Sequence, residues 1–372
     1  MGRMILLNPG PANTTETVKR AMTRPDICPR EAEFGALLVR VRDQLTRVVT
    51  DSSAYTTVMF TGSGTAAVEA AIASAVPADG RLYVIDNGAY GARMATIAKS
   101  YGIEHHVDKY GVGDLPDLDR LAAELRKQRY THLAVVHHET STGMLNPLAE
   151  IAALAKRHEV ELIVDAMSSY AGIPIDVQAL GIDFLASSSN KCIQGMAGLG
   201  FVICQRDRLA RMQHVAGRSY YLSMAGQHRF LEHNGQMQFT PPVQIIYALE
   251  QALAEFFDEG GVHARHRRYV QNWEALDSGV RSLGFRRLLP EAILSRILTA
   301  YIEPDHPNYT FDAMHDRLYA KGFTIYPGKG AQQDTFRLAN MGAVDANDMR
   351  AFVAALADTM RELQVSPLYQ HD

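Results

Sequence analysis

The sequence predicts an α/β protein, with a large domain on a mostly parallel sheet flanked by helices and a smaller C-terminal α/β domain. Three observations predict it. Short apolar runs alternate with helical stretches through the first half of the chain and beyond it. Small polar or charged residues close most of those runs. After about Pro241 the texture changes to long helical stretches and then a second α/β segment. Strands that alternate with helices build βαβ units, whose strands lie parallel with helices on both faces.

Taken in order, strands are expected at Thr57–Thr61, Arg81–Asp86, His132–His137, Glu161–Asp165, Phe184–Ser187 and Gly200–Cys204. Helices are expected between them, at Thr65–Ala75, Ala92–Tyr101, Asp117–Gln128 and Leu148–His158. Helical stretches at Val243–Glu259 and Ala264–Leu283 read as a bridge. Strands near Ile297–Ile302, Thr324–Tyr326 and Thr335–Leu338 follow, and a helix near Ala346–Leu363 closes the chain. The expected division is a large domain over 15–260 and a small one over 261–372, joined by 1–14. In open α/β sheets ligands bind outside the carboxyl ends of the strands. Most of the notable residues below fall there.

Composition narrows the function. A chain of 372 residues exceeds one ordinary core, which favours two domains. The net charge of −4, with Lys and Arg spread along the chain, argues against nucleic acid as the partner. No apolar run is long enough to span a bilayer, and Met1–Pro11 lacks the pattern of a signal peptide. Cys28, Cys192 and Cys204 cannot all pair, and their spacing fits no zinc site. A reduced, cytoplasmic protein without a metal is the expectation.

Six places carry chemistry. Thr61-Gly-Ser-Gly-Thr65 joins a strand to a helix. Amides at a helix N-terminus bind anions, and Ser63, Gly64 and Thr65 could hold a phosphate there; a plain turn capped by Thr65 would look the same. The stretch also reads Gly62-x-Gly64-x-x-Ala67, with Asp86 roughly 20 residues on, which is a dinucleotide fingerprint. Asp165 ends a strand, where a carboxylate could keep a pyridine nitrogen protonated or simply cap a turn. Lys191 follows Ser187-Ser-Ser-Asn190 and precedes a Gly-rich turn, a setting with room for a planar ring on its amine. Tyr90, in Asp86-Asn-Gly-Ala-Tyr-Gly91, could stack on such a ring. Thr140, in His137-His-Glu-Thr140, could donate to its oxygen or phosphate. Adjacent histidines on a strand face opposite ways, so neither His137–His138 nor His105–His106 makes a metal pair. Arg337 has the fork that suits a carboxylate or phosphonate, and Lys329 reads as a turn residue.

Together these segments resemble the aspartate-aminotransferase fold type (fold type I) of pyridoxal-phosphate enzymes. Within it they resemble the small-substrate branch of alanine–glyoxylate and serine–glyoxylate transaminases, and above all the class V aminoethylphosphonate–pyruvate transaminases. The blocks Leu7-Asn-Pro-Gly-Pro11, Asn87-Gly-Ala-Tyr-Gly-Ala-Arg-Met94, Glu139–Pro147, Val164-Asp-Ala-Met-Ser-Ser169, Ser189-Asn-Lys-Cys-Ile-Gln-Gly195 and Ile325–Lys329 carry the resemblance in the family's order.

The resemblance implies pyridoxal 5′-phosphate held by Lys191 as a Schiff base, with Asp165 on its ring nitrogen and Tyr90 on its face. Ser63, Gly64 and Thr65 would hold the phosphate and Thr140 would lie beside the ring. Thr240 would reach the phosphate of a partner subunit, making the active unit a homodimer. Arg337 would take the carboxylate of a keto-acid substrate, the amine substrate being an aminophosphonate. One block departs: the family commonly reads Trp-Arg-Phe-Thr-Ser-Pro-Thr-His where this chain has Met237-Gln-Phe-Thr-Pro-Pro-Val-Gln244. That leaves open a related aminophosphonate or a small amino acid as donor. Other readings are a pyridoxal lyase, a desulfurase, for which Cys192 stands too close to Lys191, and a nicotinamide-dependent oxidoreductase.

Overall fold

Seven strands form the central sheet of the computed structural model, which describes residues 3–212, 217–329 and 333–365. Across the sheet they run Tyr55–Thr61, Leu199–Gln205, Phe184–Ser188, Glu161–Asp165, His132–Val136, Arg81–Asp86 and Glu104–Lys109. Leu199–Gln205 is antiparallel to both neighbours and the other six strands share one direction. Thr61, Asp86, Val136, Asp165 and Ser188 therefore end along one edge, the edge where ligands bind in such sheets.

The strands are buried on both faces, so they read as near-continuous apolar runs. Alternate residues go to different cores. Met59, Tyr83, Leu133, Val135, Leu162, Val164 and Phe201 pack with helices Ala32–Arg47, Leu118–Lys127 and Leu148–Arg157. Val58, Leu82, Val84, Ala134, Ile163, Phe184 and Val202 pack with Gly64–Ala75 and Ala89–Ser100. The first of these helices is rich in alanine, which lets it lie close against the sheet. Asp117 caps Leu118–Lys127 by accepting from the amides of Asp119 and Arg120, a contact worth about 1 kcal/mol.

A second core gathers around the antiparallel sheet Leu298–Ile302, Thr335–Ala339 and Tyr326–Pro327. Helices Gly261–Ser282 and Ala346–Glu362 cover it. Ile5 and Leu7 belong to the same core, and strand Ile5–Leu6 pairs in parallel with Phe323–Thr324.

The structure alters two expected elements and adds a strand. The run expected as one strand over Thr324–Tyr326 is divided, because Ile325 turns into the core while the residues on either side pair with different partners. The strand expected to reach His137 stops at Val136. Beyond it His138–Glu139 forms a short hairpin with Met144–Leu145. Glu104–Lys109 is an edge strand that apolar patterning does not reveal, since only Asp108 in it is fully buried.

Candidate active site

The carboxyl edge of the sheet opens into a cavity of about 430 Å³. Ser63, Gly64, Thr65, Tyr90, Thr140, Asp165 and Lys191 all line it. Residues from separate stretches of sequence converge there because their strands end side by side.

Lys191 lies in the turn after Phe184–Ser188. Its Nζ donates to the carbonyl of Pro9 at 2.5 Å. The amino-terminal loop thus closes over the lysine from 182 positions away, and Ala12 N donates to Asn190 O at 3.0 Å. Gly10 makes the approach possible. It has φ +118°, and a Cβ there would stand 2.3 Å from Lys191 Nζ. Burial lowers the lysine's pKa to about 8. Arg93 and Arg337 push it the same way, while Cys192 and Asp165 oppose.

Asp165 is 2% exposed. Its Oδ1 accepts from Met167 N at 2.9 Å and its Oδ2 from Arg93 Nη2 at 2.9 Å. A carboxylate has about four acceptor positions, so it can take a further donor.

Ser63, Gly64 and Thr65 sit at the start of helix Gly64–Ala75, where the first amides have no intrahelical acceptor. The Thr65 hydroxyl accepts from Arg93 Nη1 at 3.1 Å. Tyr90 opens helix Ala89–Ser100 and lies under two cations, Arg93 at 4.7 Å and Lys329 at 5.5 Å from its ring centre. Lys329, expected as a turn residue, therefore faces the site.

Arg337, on strand Thr335–Ala339, is 6% exposed. It donates from Nε to Pro327 O at 2.9 Å and from Nη1 to Thr140 O at 3.1 Å. Burial lowers its pKa, and the Tyr90 hydroxyl and Glu139 act against that. Thr240 stands apart from the others. It is exposed, its carbonyl accepts from Thr61 Oγ1 at 3.1 Å and, like Arg337, it is not among the residues lining the cavity. In the departing block, Gln244 is exposed and the side-chain oxygen of Gln238 is buried without a partner.

Sequence reasoning passed over three residues here. Arg93 joins Thr65 to Asp165. His138 lines the cavity with Nδ1 2.9 Å from Ser168 Oγ and Nε2 unpartnered; burial drives its pKa down to about 3. Glu139 is fully buried and accepts from Tyr90 N at 3.1 Å and Ser141 Oγ at 2.6 Å, with burial raising its pKa. The motif Asn87–Met94 contained Arg93, but its partners lie 28 and 72 positions away. No local signal marks it.

Two rival readings lose their residues. The Asp86 carboxylate accepts from the amides of Gly88 and Ala92 and is not among the residues lining the cavity. Cys192 is buried, its thiol lies 3.0 Å from Ser168 O, and burial pushes its pKa up to about 12. That suits neither a ribose-binding acid nor a mobile sulfur carrier.

Comparison with known proteins gives the family. Residues 16–314 match the model of aminotransferase class-V. A 2-aminoethylphosphonate–pyruvate transaminase of Vibrio vulnificus is 45% identical over 359 residues, covering 96% of this chain and 97% of that protein. One of Syntrophobacter fumaroxidans is 45% identical over 360 residues, covering 96% of each. Among solved structures, an alanine–glyoxylate aminotransferase from Nostoc sp. superposes with a TM-score of 0.90 at 26% identity, covering 97% of this chain and 96% of that one. An aspartate aminotransferase of Thermus thermophilus gives 0.87 at 25%, covering 96% and 99%. The chain belongs to the class-V aminotransferases and has their fold-type I architecture. Its cofactor is pyridoxal phosphate. The cavity fits that group: a helix N-terminus at one end, a buried carboxylate with acceptor capacity to spare, and a desolvated lysine amine. The nicotinamide reading is set aside.

Proposed function

We propose that this class-V aminotransferase moves the amino group of 2-aminoethylphosphonate to pyruvate, releasing phosphonoacetaldehyde and L-alanine. One observation carries the reading. Arg93, Lys329 and Arg337 gather around Tyr90 at a cavity that also holds the desolvated Lys191. Such a surround suits substrates with acidic groups, which both the phosphonate and pyruvate are. The names of the relatives at 45% identity support the same substrates.

Pyridoxal phosphate, when bound, supplies a ring that accepts the electron pair left by the broken C–H bond. The chain supplies the rest. Lys191 holds the cofactor, then takes the proton from the substrate carbon bearing nitrogen and returns it during the transfer. This work needs an uncharged amine, and burial moves Lys191 that way by lowering its pKa to about 8. Asp165, fixed by Met167 N, would receive the ring nitrogen. Ser63, Gly64 and Thr65 would hold the phosphate at the helix start, and Tyr90 and Thr140 would contact the ring. Arg337 takes the carboxylate of pyruvate and alanine through its planar fork.

Thr240 is exposed and outside the cavity of its own chain. We assign it to the phosphate of a partner subunit, so the working unit is a homodimer. The three free cysteines suit a reducing cytoplasm.

The test is a half-reaction. Cofactor-loaded protein given 2-aminoethylphosphonate without pyruvate is expected to release a stoichiometric amount of phosphonoacetaldehyde. Later addition of pyruvate is expected to yield matching L-alanine. Release of no aldehyde, alongside discharge by a different small amine, would move the donor and direct attention to Met237–Gln244.

A further inference from the structure

Arg93 has an arrangement that the assignments above leave unexplained. Its guanidinium spans the site, with Nη1 on Thr65 Oγ1 at 3.1 Å and Nη2 on Asp165 Oδ2 at 2.9 Å. It lies over the Tyr90 ring at 4.7 Å, and its Nε is buried without a partner. One side chain thus touches a residue assigned to the phosphate, one assigned to the ring nitrogen and one assigned to the ring face. An arginine that merely solvated a helix surface would have none of these contacts.

We propose that Arg93 is a positioning residue that holds Asp165 in place and moderates its charge, thereby setting the protonation equilibrium of the cofactor carried on Lys191. The inference rests on the cofactor-site assignments above. The oxygen that Arg93 holds is on the carboxylate meant for the ring nitrogen. A carboxylate already paired with a guanidinium presents less negative charge to a second cation. The guanidinium is also a fixed positive charge near Lys191, and a nearby like charge disfavours the protonated form of a nitrogen. The first effect concerns the ring nitrogen; the second, on the nitrogen joined to Lys191, is the one a visible titration reads. The fork adds geometry: two parallel donors fix the carboxylate and hydroxyl relative to each other, which a lysine's single ammonium cannot reproduce.

Other groups facing this region are Glu139 and His138 from the hairpin, Cys192 beside the lysine, Arg337 from the small sheet and Lys329 over Tyr90. Arg337 shares with Arg93 the downward influence on Lys191, and Cys192 and Asp165 oppose it. Arg93 alone among these is hydrogen-bonded to Asp165.

The experiment uses the cofactor-loaded enzyme and reads the pH midpoint of the cofactor's visible absorbance, together with the rate of cofactor loss on dilution. Arg93→Gln is expected to raise the midpoint by about one unit. Arg93→Lys keeps the charge and loses the fork. It is expected to hold the midpoint near that of the unaltered enzyme while releasing cofactor roughly tenfold faster. An unmoved midpoint in Arg93→Gln overturns the proposal, as does an equal shift in both variants, since charge would then not be the cause. If Arg93→Gln does not accumulate folded, the lysine variant decides alone, and unaltered cofactor release from it overturns the proposal. Borohydride fixation separates the two levels. Cofactor fixed to Lys191 with an unmoved midpoint sinks only the role of Arg93. Cofactor fixed elsewhere sinks the site reading itself.

Discussion

Asp165 and Thr240 stand for two regions of this molecule. Asp165 ends a central strand, is 2% exposed and has both oxygens engaged. Thr240 lies on no strand, is exposed, and leaves its hydroxyl outside the cavity of its own chain. The floor of the crevice, with Lys191 and Asp165, is fixed by strand ends and by burial. What we take as the rim, with Arg337, Lys329 and the block holding Gln238, Thr240 and Gln244, comes from the small sheet, from loops and from the start of helix Val243–Asp258. A floor of this kind dictates the type of chemistry, because desolvation sets the state of its groups. On the reading proposed above, the rim selects the molecule on which the chemistry is done. It is also where the chain departs from the pattern of the family.

Substitutions at the two levels should therefore fail differently. Lys191→Ala removes the proton carrier and should lower kcat by on the order of a thousandfold or more. Turnover near the unaltered rate would place the chemistry elsewhere. Asp165→Ala should come next, with roughly a hundredfold loss and faster release of cofactor on dialysis. Arg337→Ala should act on KM for pyruvate, raising it by roughly thirtyfold, about 2 kcal/mol, while cofactor stays bound. A fall in cofactor occupancy instead would move Arg337 from the rim to the floor. Gln238→Arg restores the charge common in the family and should change KM for 2-aminoethylphosphonate only a few-fold, with no effect on the cofactor's spectrum.

The strand-end residues that line the cavity were legible in the sequence, and the groups that hold them in place were not. Glu161–Asp165 and Phe184–Ser188 are buried apolar runs, and a polar residue that closes such a run is conspicuous. Arg93 and Glu139 carry no such mark. One is an arginine on a helix, the usual place for a solvated charge, and the other is a carboxylate that becomes buried only when Tyr90 and Ser141 come to meet it. The closure of Pro9 and Gly10 over Lys191 joins segments 182 positions apart, which no local pattern encodes. Edge strand Glu104–Lys109 escaped because its outer residues meet water and break the apolar signal.

The lowered pKa of Lys191 gives a pH dependence with a definite sign. A free amine is required, so the rate of C–H cleavage should fall as pH drops below about 8. A deuterium-labelled amine substrate, compared with the unlabelled one across pH, isolates that step. A rate independent of pH between 6 and 9 would deny Lys191 the role of base.

The chemistry proposed for this site depends most on the identity of one nitrogen. Borohydride reduction of the cofactor-loaded enzyme, followed by digestion and mass measurement of the peptides, tests it directly. The cofactor's mass is expected on the peptide spanning 189–195, at Lys191. Its attachment to any other lysine, or a fully loaded enzyme with no modified peptide, would contradict the account.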